Sequence, residues 1–103
     1  MTKHIYVAQL DIPAEHEEEF NRLYDEEHVP NLLAVPGVSG GERYKLAASD
    51  TDGMPRYLAI YELDSPDIPE SDAWKKAATT EGWVKVRQHV SKRMLGAFSS
   101  MKR

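Results

Sequence analysis

The sequence from residue 56 to residue 63 runs Arg56-Tyr57-Leu58-Ala59-Ile60-Tyr61-Glu62-Leu63. Its aromatic and branched residues favour a β-strand, and alternation divides them between two faces. Tyr57 and Tyr61 share one face, whereas Leu58 and Ile60 lie on the other. Because both faces are largely apolar, this strand must be covered from both sides.

Three other stretches predict the remaining strands, at 4–10, 38–46 and 94–98. The first of them is again apolar on both faces. In the second, Gly40-Gly41 indicates a bulge or a weak start of the strand. The sequence therefore predicts four strands, of which at least two need a cover on each face.

An amphipathic helix is predicted over about 14–28 by an apolar stripe with spacings of three and four residues. The stripe consists of Phe20, Leu23, Tyr24 and His28. Pro30 disfavours helical backbone at Val29, so the helix is expected to kink or end there. One more turn is expected over 31–34, before Pro36-Gly37.

A second helical region is predicted to begin after Ser71, because a serine hydroxyl can cap a helix N-terminus. Thr80 offers a similar cap for a short helix that would carry Trp83. Over 81–90 a strand fits as well, since Val84-Lys85-Val86-Arg87 also alternates. Helix and strand remain alternatives for that segment.

The resulting order is β-α-β-β-α-β, which is the ferredoxin-like arrangement of the α+β class. It predicts one domain over residues 1–103, with a four-stranded antiparallel sheet and helices on one face. The helices leave the second apolar face uncovered. We expect a second copy of the chain to pack there, sheet against sheet, and to form a homodimer as a dimeric α/β barrel.

Composition excludes several classes of protein. The chain has 103 residues, a net charge of −4 and no cysteine. The acidic balance disfavours nucleic acid as a partner, and the lack of cysteine excludes disulfides and thiolate chemistry. No apolar run approaches the roughly 18 residues that span a bilayer, so no membrane partner is expected. The start at Met1-Thr2-Lys3-His4 shows no long apolar signal region, which predicts a cytoplasmic location.

The run Leu23-Tyr24-Asp25-Glu26-Glu27-His28-Val29-Pro30, followed by Pro36-Gly37-Val38, resembles the dimeric α/β-barrel superfamily. The similarity is greatest to its EthD-like branch, and Ala73-Trp74, Gly82-Trp83 and the stretch from Arg93 to Phe98 also fit that branch. The resemblance implies the predicted fold. Small relatives of this architecture include polyketide cyclases, muconolactone-type isomerases, hydroxynitrile lyases and monooxygenases that use no cofactor, so the fold alone does not name an activity.

The plant polyketide cyclases of this superfamily share Lys3-His4, Glu18-Glu19-Phe20 and Tyr24 with this chain. Their catalytic histidine in the second helical segment has no counterpart in residues 77–80. The resemblance therefore implies that His4 and Tyr24 line a pocket. It also implies that the face of Tyr57 and Tyr61 points toward the helices.

His28 is the first candidate catalytic residue, because its side chain shares the buried stripe of the first helix. Its ordinary pKa near 6.5 suits general acid or base catalysis at neutral pH. The alternative is a structural histidine bonded to a backbone carbonyl. Tyr24 lies one turn earlier and is the second candidate.

Several other side chains are candidates for binding a small molecule. Phenols with apolar rings and polar tips suit an aromatic or carbonyl ligand, although they also suit an aromatic core. Arg43 would bind an anionic ligand or an interface carboxylate, or else be an exposed cation. The candidate ligand-binding residues are His4, Tyr6, Tyr57, Tyr61, Arg43, Trp74 and Trp83.

The sequence predicts no metal and no cofactor. Glu26, Glu27 and His28 are consecutive, and consecutive helical side chains point about 100° apart, so the three cannot bind one ion. Histidine pairs with metal-ligand spacing and glycine-rich phosphate loops are both missing from the sequence.

Together these patterns favour a small cofactor-independent enzyme that performs proton transfer on a small aromatic or lactone-like carbonyl compound. The reaction would be an isomerisation, a cyclisation or a lyase reaction, with His28 as acid or base and with Tyr24 and Tyr61 polarising an oxygen. One alternative is a non-catalytic ligand-binding or accessory protein of a degradation pathway. A second alternative is a monooxygenase-like protein.

Overall fold

A computed structural model describes residues 3–102. The ends of the predicted domain, at Met1, Thr2 and Arg103, lie outside the described residues. The strands are β1 (His4–Asp11), β2 (Val38–Lys45), β3 (Tyr57–Leu63) and β4 (Lys92–Ser99). The α-helices are α1 (Ala14–Leu23), α2 (Val29–Leu33), α3 (Asp72–Ala77) and α4 (Glu81–Arg87).

The four strands form one sheet in the order β2-β3-β1-β4, with every neighbouring pair antiparallel. This order and the helices between β1 and β2 and between β3 and β4 confirm the predicted ferredoxin-like fold. The pairing of β2 with β3 shifts register between Val38 and Gly40, which confirms the predicted bulge.

One face of the sheet forms the core against the helices. On β3 the odd-numbered residues from Tyr57 to Leu63 are buried, and on β1 Ala8 and Leu10 are buried with them. Ile60 has the opposite parity and pairs with Val7, so both side chains lie on the other face. The strand parity assigned from the sequence is therefore confirmed.

The first helical region continues past the point where the sequence predicted a kink or an end. A π-helical turn over Tyr24–His28 joins α1 to α2, and its widened ring carries a bond from the Val29 amide to the Tyr24 carbonyl. Pro30 has no N–H, and it occupies the first turn of α2, where a missing donor costs little. Gly37 then turns the chain toward β2 with φ +92°, a conformation that favours glycine.

The second helical region resolves the ambiguity over 81–90 in favour of helix. Ser71 caps α3 by accepting a 3.2 Å hydrogen bond from the Trp74 amide, as predicted. Thr80 precedes α4 but does not cap it, because its hydroxyl donates to the Glu27 carboxylate instead. Within residues 3–102 no helix is long and apolar enough to cross a membrane.

Candidate functional site

A cavity of about 260 Å³ lies between the β1 and β4 half of the sheet and the helices α3 and α4. This volume is just below the range of about 300–1,000 Å³ that is typical of small-molecule sites. Ala8 and Ala78 both line the cavity, and their short side chains leave space where larger residues would fill the core. The cavity therefore has room for one small ligand.

The aromatic rings of five Tyr and Trp residues line the cavity. Trp74 meets Tyr6 edge to face at a centroid distance of 4.9 Å and meets Tyr61 at 5.7 Å. On the other side Trp83 packs against Tyr24 at 4.8 Å. Such rings bind flat apolar molecules, and their hydroxyls supply the few polar contacts that orient them.

His28 lines this cavity and is only 7% exposed. Its ring stacks on Trp83 with centroids 3.9 Å apart, and its Nδ1 atom has no hydrogen-bond partner among the described residues. Burial lowers the pKa of His28 to about 3, and the nearby Arg87 and Arg43 add to this effect. The imidazole is therefore neutral at physiological pH and free to accept a proton or a hydrogen bond.

The phenols of Tyr24 and Tyr61, which line the same cavity, are protonated. Burial raises the pKa of Tyr24 to about 12, and it raises the pKa of Tyr61 further still. The Tyr61 hydroxyl is buried near the Tyr24 hydroxyl, but within residues 3–102 it makes no hydrogen bond of good geometry. A buried hydroxyl without a partner is costly, so this group indicates a site that a ligand oxygen can complete.

The backbone explains how these side chains come together. Tyr24 and His28 are the first and last residues of the π-helical turn, and their rings meet edge to face at 5.2 Å. A hydrogen bond between Thr80 and Glu27 ties this turn to the start of α4. π-helical turns occur frequently at functional sites.

On the sheet, a Cβ atom at Gly41 would come within 2.8 Å of the Tyr61 ring, so glycine at this position lets Tyr61 lie close to β2.

Tyr57 lies outside the cavity, although it shares a strand face with Tyr61. Its hydroxyl donates to the Glu17 carboxylate and accepts a 3.3 Å bond from Asn21. His4 lies at the end of the sheet, where its Nδ1 is 2.8 Å from the Ser99 hydroxyl. Neither side chain contributes to the cavity wall.

Arg43 also lies outside the cavity, and it is not the exposed cation that the sequence allowed. Only 15% of its side chain is exposed, and its guanidinium lies 4.2 Å from the centroid of the Tyr24 ring. It donates to Asp25 at 2.8 Å and to Asn21 at 2.7 Å. Arg43 therefore packs against the Tyr24 ring from outside the cavity. Its positive charge offsets part of the rise in the Tyr24 pKa that burial causes.

The structure adds three cationic residues to the cavity lining that sequence reasoning missed. They are Lys75, Arg87 and Arg93. Arg87 follows Trp83 by four residues, which places both on one side of α4. The four-residue spacing places Arg87 beside Trp83 only if the segment is helical, and the sequence left a strand equally open there. No group of three potential metal ligands occurs within residues 3–102.

A family model described as a domain of unknown function, DUF4286, matches residues 3–102. The chain belongs to this family. No curated protein matches the chain. The match covers almost the whole sequence, and the description of the family assigns it no activity.

Solved structures share the fold. A candidate antibiotic biosynthesis monooxygenase from Bordetella bronchiseptica is 11% identical, with a TM-score of 0.67 over 100% of this chain and 99% of its own. A dimeric ferredoxin-like protein from an uncultured marine organism is 14% identical, with a TM-score of 0.66 over 100% and 91%. An EthD family protein from Bacillus halodurans is 13% identical, with a TM-score of 0.58 over 98% and 99%. The predicted resemblance is confirmed at the level of the fold.

Proposed function

We propose that this chain binds a small aromatic carbonyl compound in the cavity and catalyses a proton transfer on it without a cofactor. The observation that carries the proposal is the environment of His28. A neutral imidazole without a partner at Nδ1 lies next to the protonated phenol of Tyr24 and shares the cavity wall with that of Tyr61. Buried polar groups are usually satisfied, so unsatisfied ones that meet at a cavity support a ligand site.

The proposed step is the removal of a proton from a carbon next to the carbonyl group. The C–H bond breaks, the proton goes to the imidazole of His28, and the electron pair moves onto the carbonyl oxygen. The hydroxyls of Tyr61 and Tyr24 then donate hydrogen bonds to the enolate oxygen. Return of the proton from His28 to another carbon completes an isomerisation, whereas expulsion of a leaving group completes a lyase reaction.

The charge state of the three residues suits this step. Tyr24 and Tyr61 stay protonated because burial raises each phenol pKa, so both can act as donors. His28 stays neutral because burial lowers its pKa to about 3, below the 6.5 on which the sequence-based assignment rested. It is therefore unprotonated at rest but a weaker base than expected, and it needs a negative charge beside it, such as the enolate, to hold the proton. Groups whose environments separate their pKa values in this way are candidates for the acid and base roles.

We also propose that the chain acts as a homodimer through the face of the sheet opposite the helices. Met94 and Phe98 on β4 are 55% and 56% exposed, and Tyr44 on β2 is 44% exposed. With Val7 and Ile60 in the middle of the sheet, they form a broad apolar face that favours association. The solved neighbour from the marine organism is named as dimeric.

The alternatives predicted from the sequence differ from this proposal in measurable ways. A non-catalytic binding protein would hold the ligand without exchanging its protons. A monooxygenase-like activity, which the name of the Bordetella neighbour suggests, would consume oxygen with an electron-rich substrate.

The test follows deuterium incorporation from D₂O into acetophenone and an aryl lactone by NMR, which detects proton removal without knowledge of the natural reaction. The proposal predicts exchange above the spontaneous rate, and His28→Gln should reduce it about 10²- to 10⁴-fold. His89→Gln is the matched control, because it makes the same change at an exposed histidine outside the cavity. Binding of these probes without exchange would contradict catalysis and support the binding protein. Oxygen consumption with a dihydroxynaphthalene above its spontaneous oxidation would support the monooxygenase alternative.

A further inference from the structure

We infer that the ligand of this cavity is an anion, namely a small aromatic carbonyl compound that also carries a carboxylate, which Arg87, Arg93 and Lys75 bind at the cavity. The inference rests on the proposed function in that it uses the same cavity, and it specifies the class of ligand. It arises from the distribution of charge around the cavity.

The cavity has a charge opposite to that of the whole chain. The sequence holds 17 acidic and 13 basic residues, which gives the net charge of −4. Three basic residues nevertheless line the cavity, and no aspartate or glutamate occurs among its lining residues. A cleft lined by one sign of charge attracts ligands of the opposite sign.

The three cations are not neutralised within the described part of the chain. Lys75, Arg87 and Arg93 form no ion pair there. The other three described arginines, Arg22, Arg43 and Arg56, each pair with a carboxylate, whereas several lysines do not. Arg87 reaches only the Ala78 carbonyl, at 3.5 Å. The planar guanidinium of an arginine matches a carboxylate with two parallel hydrogen bonds, which favours this anion over a neutral ligand.

Their elements bring these cations to the same cavity as the aromatic rings, with Arg87 partly buried and Lys75 and Arg93 exposed to solvent. Lys75 follows the cavity residue Trp74 on α3, and Arg87 lies on α4, one turn after Trp83. Arg93 lies on β4 and pairs with Leu10 on the helix-covered face of the sheet. A ligand with a flat apolar body and one carboxylate would satisfy both parts of the lining.

An anion at this position would also act on His28. The charges that face the imidazole are Arg87 on α4 and Arg43 on β2, and both lower its pKa, while the third neighbour, Tyr24, is neutral. A bound carboxylate beside Arg87 would offset part of that effect and make His28 a stronger base. Substrate binding would thereby prepare the residue that accepts the proton.

The test uses tryptophan fluorescence, because the only two tryptophans of the chain, Trp74 and Trp83, both line the cavity. The probes are benzoate and benzamide, which have nearly the same shape and differ in charge. The inference predicts that benzoate quenches the fluorescence and binds at least about tenfold more tightly than benzamide, since a bond to a charged group contributes about 1.5–3 kcal/mol. The difference should shrink as salt is raised.

Variants locate the effect within the cavity. Arg87→Gln and Arg93→Gln should each weaken benzoate binding about tenfold and leave benzamide binding unchanged. Lys85→Gln is the control, because Lys85 lies on α4 with its side chain 74% exposed and outside the cavity. Equal binding of the two probes, with no effect of either arginine variant, would overturn the anion preference and leave the proposed cavity intact. Failure of both probes to bind would overturn the preference and the cavity together.

Discussion

Tyr57 and Tyr61 lie four residues apart on the same face of β3, and both rings are buried by the helices. The Tyr57 hydroxyl bonds to Glu17 and Asn21, both on α1. The Tyr61 hydroxyl has no partner in the described residues, and its ring lines the cavity. Two similar side chains on one strand therefore differ in whether the fold itself satisfies their polar atoms.

The same difference separates the two halves of the helix layer. On the α1 side, Arg56 pairs with Asp11 at 2.7 Å and with Glu17 at 3.3 Å. Arg43 pairs with Asp25 through a terminal nitrogen, and its buried Nε is the one atom on this side without a partner in residues 3–102. On the side of α3 and α4, His28 Nδ1 is unpartnered and the cationic lining residues form no ion pairs among residues 3–102. Satisfied polar networks stabilise a fold, whereas unsatisfied groups that meet at a cavity cost stability and indicate function.

The largest expected effect concerns turnover. His28→Ala should reduce deuterium exchange into acetophenone about 10²- to 10⁴-fold, because the proton acceptor is lost. His28→Gln should restore the melting temperature but not the exchange rate, since glutamine forms hydrogen bonds but is not a base. Recovery of both properties in His28→Gln would show that the imidazole is structural and that the two halves of the layer do not differ in role.

The second effect concerns stability at acidic pH. The folded-state pKa of His28 is lowered to about 3 from its ordinary value of 6.5, so between these values the unfolded chain binds a proton that the folded chain does not. Stability should therefore fall as pH falls from 6.5 toward 3, by about 1.4 kcal/mol per pH unit from this residue.

Urea unfolding of the wild type and of His28→Gln at several pH values measures this contribution. Between pH 6.5 and pH 3 the difference between their unfolding free energies should change by about 1.4 kcal/mol per pH unit, and above pH 6.5 it should be constant. The lowered pKa of Glu17, which its bond to Tyr57 causes, adds acid sensitivity to both proteins and cancels in the difference. A difference that is independent of pH would contradict the burial of a neutral His28.

The third effect concerns the opposite face of the sheet. Ile60→Asp places a charge in the proposed interface and should dissociate the dimer, which light scattering at micromolar concentration would detect as a halved mass. Thr51→Asp adds the same charge in the exposed loop before β3 and should leave the mass unchanged. A wild-type chain that stays monomeric would contradict the proposed assembly.

The sequence sufficed to predict the elements whose pattern is local. Alternation over 56–63 predicted β3 and its two faces, and the stripe ending at His28 predicted the first helix. Pro30 was expected to disturb the helix, but the π-helical turn before it accommodates the proline, and no periodicity encodes that turn.

The functional difference between Tyr57 and Tyr61 could not be predicted in the same way. The two residues have the same strand parity, and what separates them is Glu17, which lies 40 positions from Tyr57 in the sequence. Arg87 was missed because alternation over 84–87 left helix and strand both open. Contacts between distant segments, rather than local patterns, decide which polar groups remain available for a ligand.

The most direct test of the account compares the unfolding free energies of Tyr57→Phe and Tyr61→Phe, and it needs no substrate. Each change removes one hydroxyl and keeps the ring. Tyr57→Phe should destabilise the fold by about 1–3 kcal/mol, because it removes one of the donors to the Glu17 carboxylate and the acceptor of the Asn21 amide. Tyr61→Phe should leave the free energy unchanged or raise it by up to about 1 kcal/mol, because its hydroxyl is buried without a partner. A loss in Tyr61→Phe as large as that in Tyr57→Phe would show a structural partner for the hydroxyl and would contradict the assignment of Tyr61 to a ligand site.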